Sequence, residues 1–151
     1  MAIRNIVKLG DPILRKKSKE VTKFDERLST LLDDMKETMY KAEGVGLAAV
    51  QVGVLKRAVV VDCGNLIELI NPEILEFSGE ETCSEGCLSL PDKYVPVTRP
   101  QKVKVRAQDR TGKWHMYAAE DLEARCFCHE IDHLDGILFI DKENKEAALK
   151  E

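Results

Sequence analysis

The sequence predicts an α+β fold, with short mixed or antiparallel strands around a central helix that carries an H-E-x-x-H metal motif. Three observations predict it. Leu28, Leu31, Leu32, Met35 and Met39 recur at helical spacing. Lys102 to Ala107 alternates, with Val103, Val105 and Ala107 on one face and Lys102, Lys104 and Arg106 on the other. A second helical pattern near the C-terminal end encloses His129-Glu130-Ile131-Asp132-His133.

The first helix should run from near Asp25 to Glu43, with Gly44 as its stop. The segment from Gly44 to Gly53 is rich in small residues, which let a backbone pass close to a ligand. Arg57 to Asp62 reads as a buried strand. Leu66 to Asn71 and Ile74 to Thr82 read as two further strands separated by Pro72. After Lys102 to Ala107, the run Asp109-Arg110-Thr111-Gly112 makes a turn, and Trp114 to Ala118 returns as a strand. The second helix should span about Glu120 to Leu134, with Gly136 just beyond it. Phe127, Ile131 and Leu134 form its core stripe. Cys126, Glu130 and His133 lie on a different face, with His129 adjacent.

At 151 residues, 1–151 reads as a single domain, and no linker composition divides it. No apolar run approaches a membrane span, and the first residues lack the apolar core of a signal peptide. The formal charge of −4 argues against direct nucleic-acid binding. Five cysteines (63, 83, 87, 126 and 128) make an odd set without C-x-x-C pairs. Free thiols in a reducing cytoplasm fit that count better than disulfides or a structural zinc knuckle.

Residues four apart share a helix face, so His129 and His133 can hold one metal ion. Glu130 then stands beside a water activated at that metal and can act as its general base. A catalytic site of this type needs a third ligand. The best candidate is Cys87, which follows Gly86 in Glu85-Gly86-Cys87-Leu88-Ser89; the rival reading is a buried, inert thiol.

Three motifs stand in order: Gly44-Val45-Gly46-Leu47-Ala48-Ala49-Val50-Gln51, Glu85-Gly86-Cys87-Leu88-Ser89, and His129-Glu130-Ile131-Asp132-His133. Together they resemble the signature motifs of peptide deformylases. Gly10-Asp11-Pro12-Ile13-Leu14-Arg15 is similar to that family's N-terminal segment, so the likeness runs from about Ile6 to Asp141. It implies a metal-dependent hydrolase that removes the formyl group from the N-terminal formylmethionine of nascent bacterial or organellar chains. It implies Cys87, His129 and His133 as metal ligands and Glu130 as the acid/base. Gln51 and the backbone N–H of Leu88 would bind the developing oxyanion. Gly44, Val45, Gly46, Glu85, Gly86 and Cys126 would face the peptide.

One thiolate and two imidazoles suit zinc by ligand preference alone. The resemblance implies Fe2+ as the native metal, with Zn2+, Ni2+ or Co2+ as replacements. It also implies N-formylmethionyl peptides as partners, a transient ribosome contact, a bacterial-type cytoplasmic location and no membrane. Some relatives dock on the ribosome through a longer C-terminal helix, whereas Lys142 to Glu151 here is a short charged tail. Cys128 stands where the family usually has glutamine. An extended peptide should add to a strand edge near Val45 and Gly46.

Two rival functions use the same residues differently. A general zinc metallopeptidase would share His129, Glu130 and His133 without needing Cys87 or Gln51. A thiol module built on Cys87, Cys126 and Cys128 would leave Glu130 and Gln51 without a task. Asp132 is either solvated or paired with Arg99, and His115 reads as structural or exposed.

Overall fold

The computed structural model describes residues 2–148; Met1 and residues 149–151, the end of the charged tail, lie outside the described residues. The fold is mixed α+β, built on antiparallel sheets. Helix α1 spans Glu26–Lys41. Asp25 caps it, its carboxylate accepting from the Leu28 N–H at 3.1 Å. Its periodic residues Leu28, Leu31, Leu32, Met35 and Met39 are all buried.

The helix does not stop at Gly44 as the sequence suggested. It ends at Lys41, and the left-handed residue is Glu43, at φ 59°. Gly44 is small for another reason: a Cβ there would sit 2.7 Å from Leu88 Cδ1.

Strands β1 (Gly46–Ala48), β2 (Ala58–Asp62), β3 (Leu66–Ser78), β6 (Lys102–Gln108) and β7 (Trp114–Glu120) form one antiparallel sheet in the order β1-β2-β3-β6-β7. β4 (Glu81–Cys87) and β5 (Leu90–Arg99) form a separate hairpin. Helix α2 spans Asp121–Leu134 and includes His129 to His133. A short α3 spans Lys145–Ala148. The named strands pair antiparallel; the parallel contact is an isolated bridge between Lys19 and Lys56.

Two strand expectations need correction. β3 is one 13-residue strand, not two pieces divided at Pro72. The register against β6 shifts between Ile70 and Glu73, and Asn71 adopts φ 52°. Pro72 thus falls in a bulge, where its missing N–H costs no ladder bond. The expected strand Ile74 to Thr82 instead ends with β3 at Ser78, and a new strand, β4, begins at Glu81; β4 beyond Thr82 and the whole of β5, which carries Pro91 and Pro96, have no counterpart in the sequence reading. In a two-stranded hairpin each strand keeps one unpaired edge, so both prolines are tolerated.

The core lies on both faces of the large sheet. Ala58 and Val60 pack toward α1, while Val59 and Val61 pack with Phe127, Ile131 and Leu134 of α2. All four β2 residues are fully buried, as its unbroken apolar run required. Each such Val or Leu contributes about 1.5–3 kcal/mol of burial free energy. The two faces of α2 are both covered. Its Phe127 face meets the sheet, and its His129 face meets the hairpin, so the polar motif is buried rather than solvated.

Candidate active site

Cys87 ends β4, while His129 and His133 stand one turn apart on α2. The hairpin brings Cys87 Sγ to 3.3 Å from His133 Nε2. One donor atom from each of Cys87, His129 and His133 lies within 4.8 Å of the others, with both histidines buried. Ligands about 2.0–2.3 Å from one tetrahedral cation lie roughly 3.3–3.8 Å apart, so small adjustments complete such a set. The donor chemistry, one thiol and two imidazoles, fits a divalent metal. His133 Nδ1 and Glu130 Oε1 are buried without hydrogen-bond partners among the described residues. Glu130 lines the cavity that Cys87 and His129 border.

Second contacts orient the donors. His129 Nδ1 donates to Glu85 Oε1 at 2.6 Å, which leaves Nε2 for the metal side. Glu85 also accepts from Arg99 Nη2 at 2.7 Å, Arg99 Nε at 3.2 Å and Arg125 Nη1 at 2.6 Å. Arg99 Nη1 donates to Asp132 at 2.5 Å, so Asp132 is paired rather than solvated.

The electrostatics follow from burial and these neighbours. Burial works to raise the Glu85 carboxyl, but the bonds from His129 and Arg99 and the Arg99 charge overcome it and bring it to about 2. Burial pushes Glu130 up to about 7, against the pull of His129. Burial disfavours a charged His129, yet Glu130, Cys87 and Glu85 raise it to about 10. Burial, with the charges of His129 and Arg99, brings His133 down to about 3. The site thus surrounds one ring with negative groups while keeping the other ring neutral.

Gln51 lies in the 3-10 turn Ala49–Val52 that follows β1, and it is buried. Its Oε1 accepts from the Ala48 N–H at 2.9 Å. Its Nε2 donates to Ser89 Oγ at 3.2 Å and points at Cys87 Sγ, 3.5 Å away. The amide is therefore held with its donor end toward the donor set.

A cavity of about 530 Å³ opens beside these groups. It is lined by every site residue named from the sequence except His133, which lies deeper. Leu88 sits in the two-residue connection between β4 and β5, packed on Gly44. Val45 is exposed at the rim and is not a core residue. Cys126 is buried in the wall, 3.6 Å from Cys63 Sγ.

Glu85 borders the cavity, and both its carboxylate oxygens are engaged by His129, Arg99 and Arg125. All five cysteines are free thiols, as the count implied. Cys128 is outside the donor group and packs with the α2 core; burial raises its thiol to about 11. His115 bonds Asp109 at 2.7 Å on β7, away from the cavity.

Sequence reasoning missed Arg125 and Tyr94, which also line the cavity. Arg125 stands four residues before His129 on α2, a neighbouring position on a helix. A helical arginine in a chain that is one-third charged gives no signal by itself.

Known proteins resemble this chain over nearly its whole length. The sequence model of the family described as polypeptide deformylase matches residues 3–148. The chain is 63% identical over 143 residues to the peptide deformylase of Caldicellulosiruptor bescii, covering 94% of this chain and 86% of that protein. It is 59% identical over 143 residues to peptide deformylase 1 of Clostridium acetobutylicum, covering 94% of this chain and 95% of that one. The crystal structure of the peptide deformylase from Thermotoga maritima matches with a TM-score of 0.93 at 44% identity, covering 95% of this chain and 99% of that chain.

Proposed function

The chain belongs to the polypeptide deformylase family, and from that premise we propose how its residues divide the work. The protein is a metal-dependent hydrolase that removes the N-formyl group from the N-terminal formylmethionine of nascent proteins, with release of formate. No helix of the described residues is long and apolar enough to cross a membrane.

Cys87, His129 and His133 hold the cation, with α2 as the central metal-bearing helix and Cys87 as the thiolate ligand. The native metal is Fe2+, and Zn2+, Ni2+ or Co2+ can replace it. When bound, a divalent cation supplies Lewis-acid chemistry: it acidifies a water and polarises a carbonyl. Glu130 takes the proton from the attacking water and later delivers it to the leaving amine. Its carboxyl is buried beside His129 and borders the cavity, where it can reach both the water and the leaving amine. The Gln51 amide and the Leu88 N–H donate to the oxygen that becomes negative as the formyl carbon turns tetrahedral.

The peptide lies extended along β1, an edge strand whose second side is open beside Val45 and Gly46. Cys126, Val45 and Gly86 wall the space for the methionine side chain. Residues 1–151 act as one catalytic domain on nascent chains in a bacterial-type cytoplasm, in transient contact with the ribosome and without binding nucleic acid directly.

The observation that carries this reading is the meeting of Cys87, His129 and His133 donors within 4.8 Å beside buried Glu130 and Gln51. The test is formate release from formyl-Met-Ala-Ser by anaerobically purified protein reloaded with Fe2+ or Ni2+. Glu130→Ala should keep its metal and lose turnover. A variant with near-normal turnover would sink the acid/base role. A loaded wild type that releases no formate would sink the substrate assignment.

A further inference from the structure

The three donors come from two bodies that share no β-ladder. Cys87 belongs to the β4–β5 hairpin, and both histidines belong to α2. The hairpin makes no ladder with the five-stranded sheet, so sheet pairing does not set its distance from α2. Apolar contacts of Leu90 and Val97 with Leu14, Leu138 and Phe139 hold the hairpin down, together with hydrogen bonds to it from the Leu9 N–H, the Asn144 N–H and Gln51 Nε2. The apolar contacts are not directional and permit sliding, and none of these bonds comes from α2. The directional bonds between α2 and the hairpin are therefore what tie the two ligand-bearing bodies directly to each other.

Arg125 supplies three of them, beside the Arg99–Asp132 and His129–Glu85 bonds, and it is the one that reaches the backbone of both hairpin strands. It leaves α2 four residues before His129, and its side chain is buried. Nη1 donates to the Val97 carbonyl of β5 at 3.0 Å, and Nη2 to the Glu81 carbonyl of β4 at 2.6 Å. One guanidinium thus grips the backbone of both hairpin strands. Nη1 also meets Glu85 Oε2 at 2.6 Å, and the other oxygen of Glu85 receives His129 Nδ1. Arg99 differs from it: Arg99 sits on the hairpin itself and reaches α2 only through the Asp132 side chain.

Resting on the ligand set proposed above, we infer that Arg125 is a positioning residue for the metal site. It sets the hairpin at the distance from α2 that lets Cys87 join His129 and His133, and it holds Glu85 so that His129 keeps Nε2 turned toward the cation. It touches neither metal nor reacting atoms in this role.

The test uses the full chain loaded with Co2+, comparing wild type, Arg125→Lys and Arg125→Met. Affinity is read by competition with a chelator, and Cys87 ligation by the thiolate-to-cobalt charge-transfer band. Loss of an outer-shell partner typically weakens metal binding roughly 10- to 100-fold, and Arg125→Met is expected in that range with a shifted or weakened band. Arg125→Lys keeps the charge but not the fork, and should fall between Met and wild type. If Arg125→Met fails to fold, Arg125→Lys carries the test alone. A folded variant with wild-type affinity and band overturns the inference, even if it melts earlier, because a role confined to stability would give that result. A wild type that lacks the band, as a Cys87→Ser control must, overturns the ligand set itself and this inference with it.

Discussion

His129 donates its Nδ1 proton to the Glu85 carboxylate across 2.6 Å, and this bond decides which ring nitrogen faces Cys87. An ionised carboxylate only accepts, so the tautomer follows. Against the effect of burial, the bonds from His129 and Arg99 and the Arg99 charge keep Glu85 ionised, far below neutral pH.

Glu85→Gln keeps the shape of that side chain and removes its charge. An amide can turn its NH2 toward His129 and reverse the tautomer. Metal affinity and kcat/KM should both fall roughly 10- to 100-fold. Titration of Co2+ into the variant, beside formate-release kinetics, measures both. Unchanged affinity would show that Nε2 stays presented without Glu85.

Gln51→Ala removes the donor amide and also the acceptor for the buried Ala48 N–H. The second loss should cost stability by about 1–3 kcal/mol. The first should lower kcat by roughly 100- to 1,000-fold with little change in metal content. Steady-state kinetics on the metal-loaded variant separates the two effects. A near-wild-type kcat would remove Gln51 from the oxyanion reading.

Gly46→Ala probes the space between β1 and Glu130. The added Cβ would lie 2.6 Å from Glu130 Oε2 and 3.0 Å from its Cγ. The strand is fully buried, so the carboxylate must move instead. Overpacking of this kind destabilises by about 1–3 kcal/mol. The variant should fold, keep its metal and lose most of its kcat. Kinetics together with a thermal melt would reveal it, and full activity would mean that Glu130 works from another rotamer.

Asp34 governs part of the acid sensitivity away from the site. The Ala2 N–H at 2.7 Å lowers its pKa below the ordinary 3.8, opposed by burial and helped by the Arg4 bond at 2.9 Å. Its folded pKa lies below its unfolded one. Its contribution is therefore complete above 3.8 and is lost as pH falls through the lower folded value. Asp34→Asn should be less stable than wild type at pH 7 by about 1–3 kcal/mol. Urea unfolding should show that gap shrinking in acid. A gap independent of pH would assign the effect to packing.

Helices α1 and α2 were legible because each repeats an apolar spacing against the sheet, whereas the four-residue α3 is too short to show one. The β6–β7 hairpin was legible because its alternation and its Asp109–Gly112 turn are local. β5 was hidden by its prolines, and the continuity of β3 by Pro72, because what makes those prolines tolerable is an open edge or a bulge. Neither is encoded within the strand itself. The same division holds in the site. The spacing from His129 to His133 and the motif around Cys87 are local patterns. The work of Glu85 is not, since its partners Arg99, Arg125 and His129 lie 14, 40 and 44 residues away.

By itself, the sequence determined α1, α2 and the β6–β7 hairpin, because helical and strand periodicities operate within a few residues, and its three ordered motifs named the candidate site residues through the family they resemble. Only the tertiary structure decided that Glu85 meets His129, Arg99 and Arg125, that Gly44 and Gly46 lie close against Leu88 and Glu130, and that Arg125 bonds the backbone of both hairpin strands. These roles depend on which groups meet after folding, and on burial that makes each unpaired charge or hydrogen bond costly. No local pattern records them.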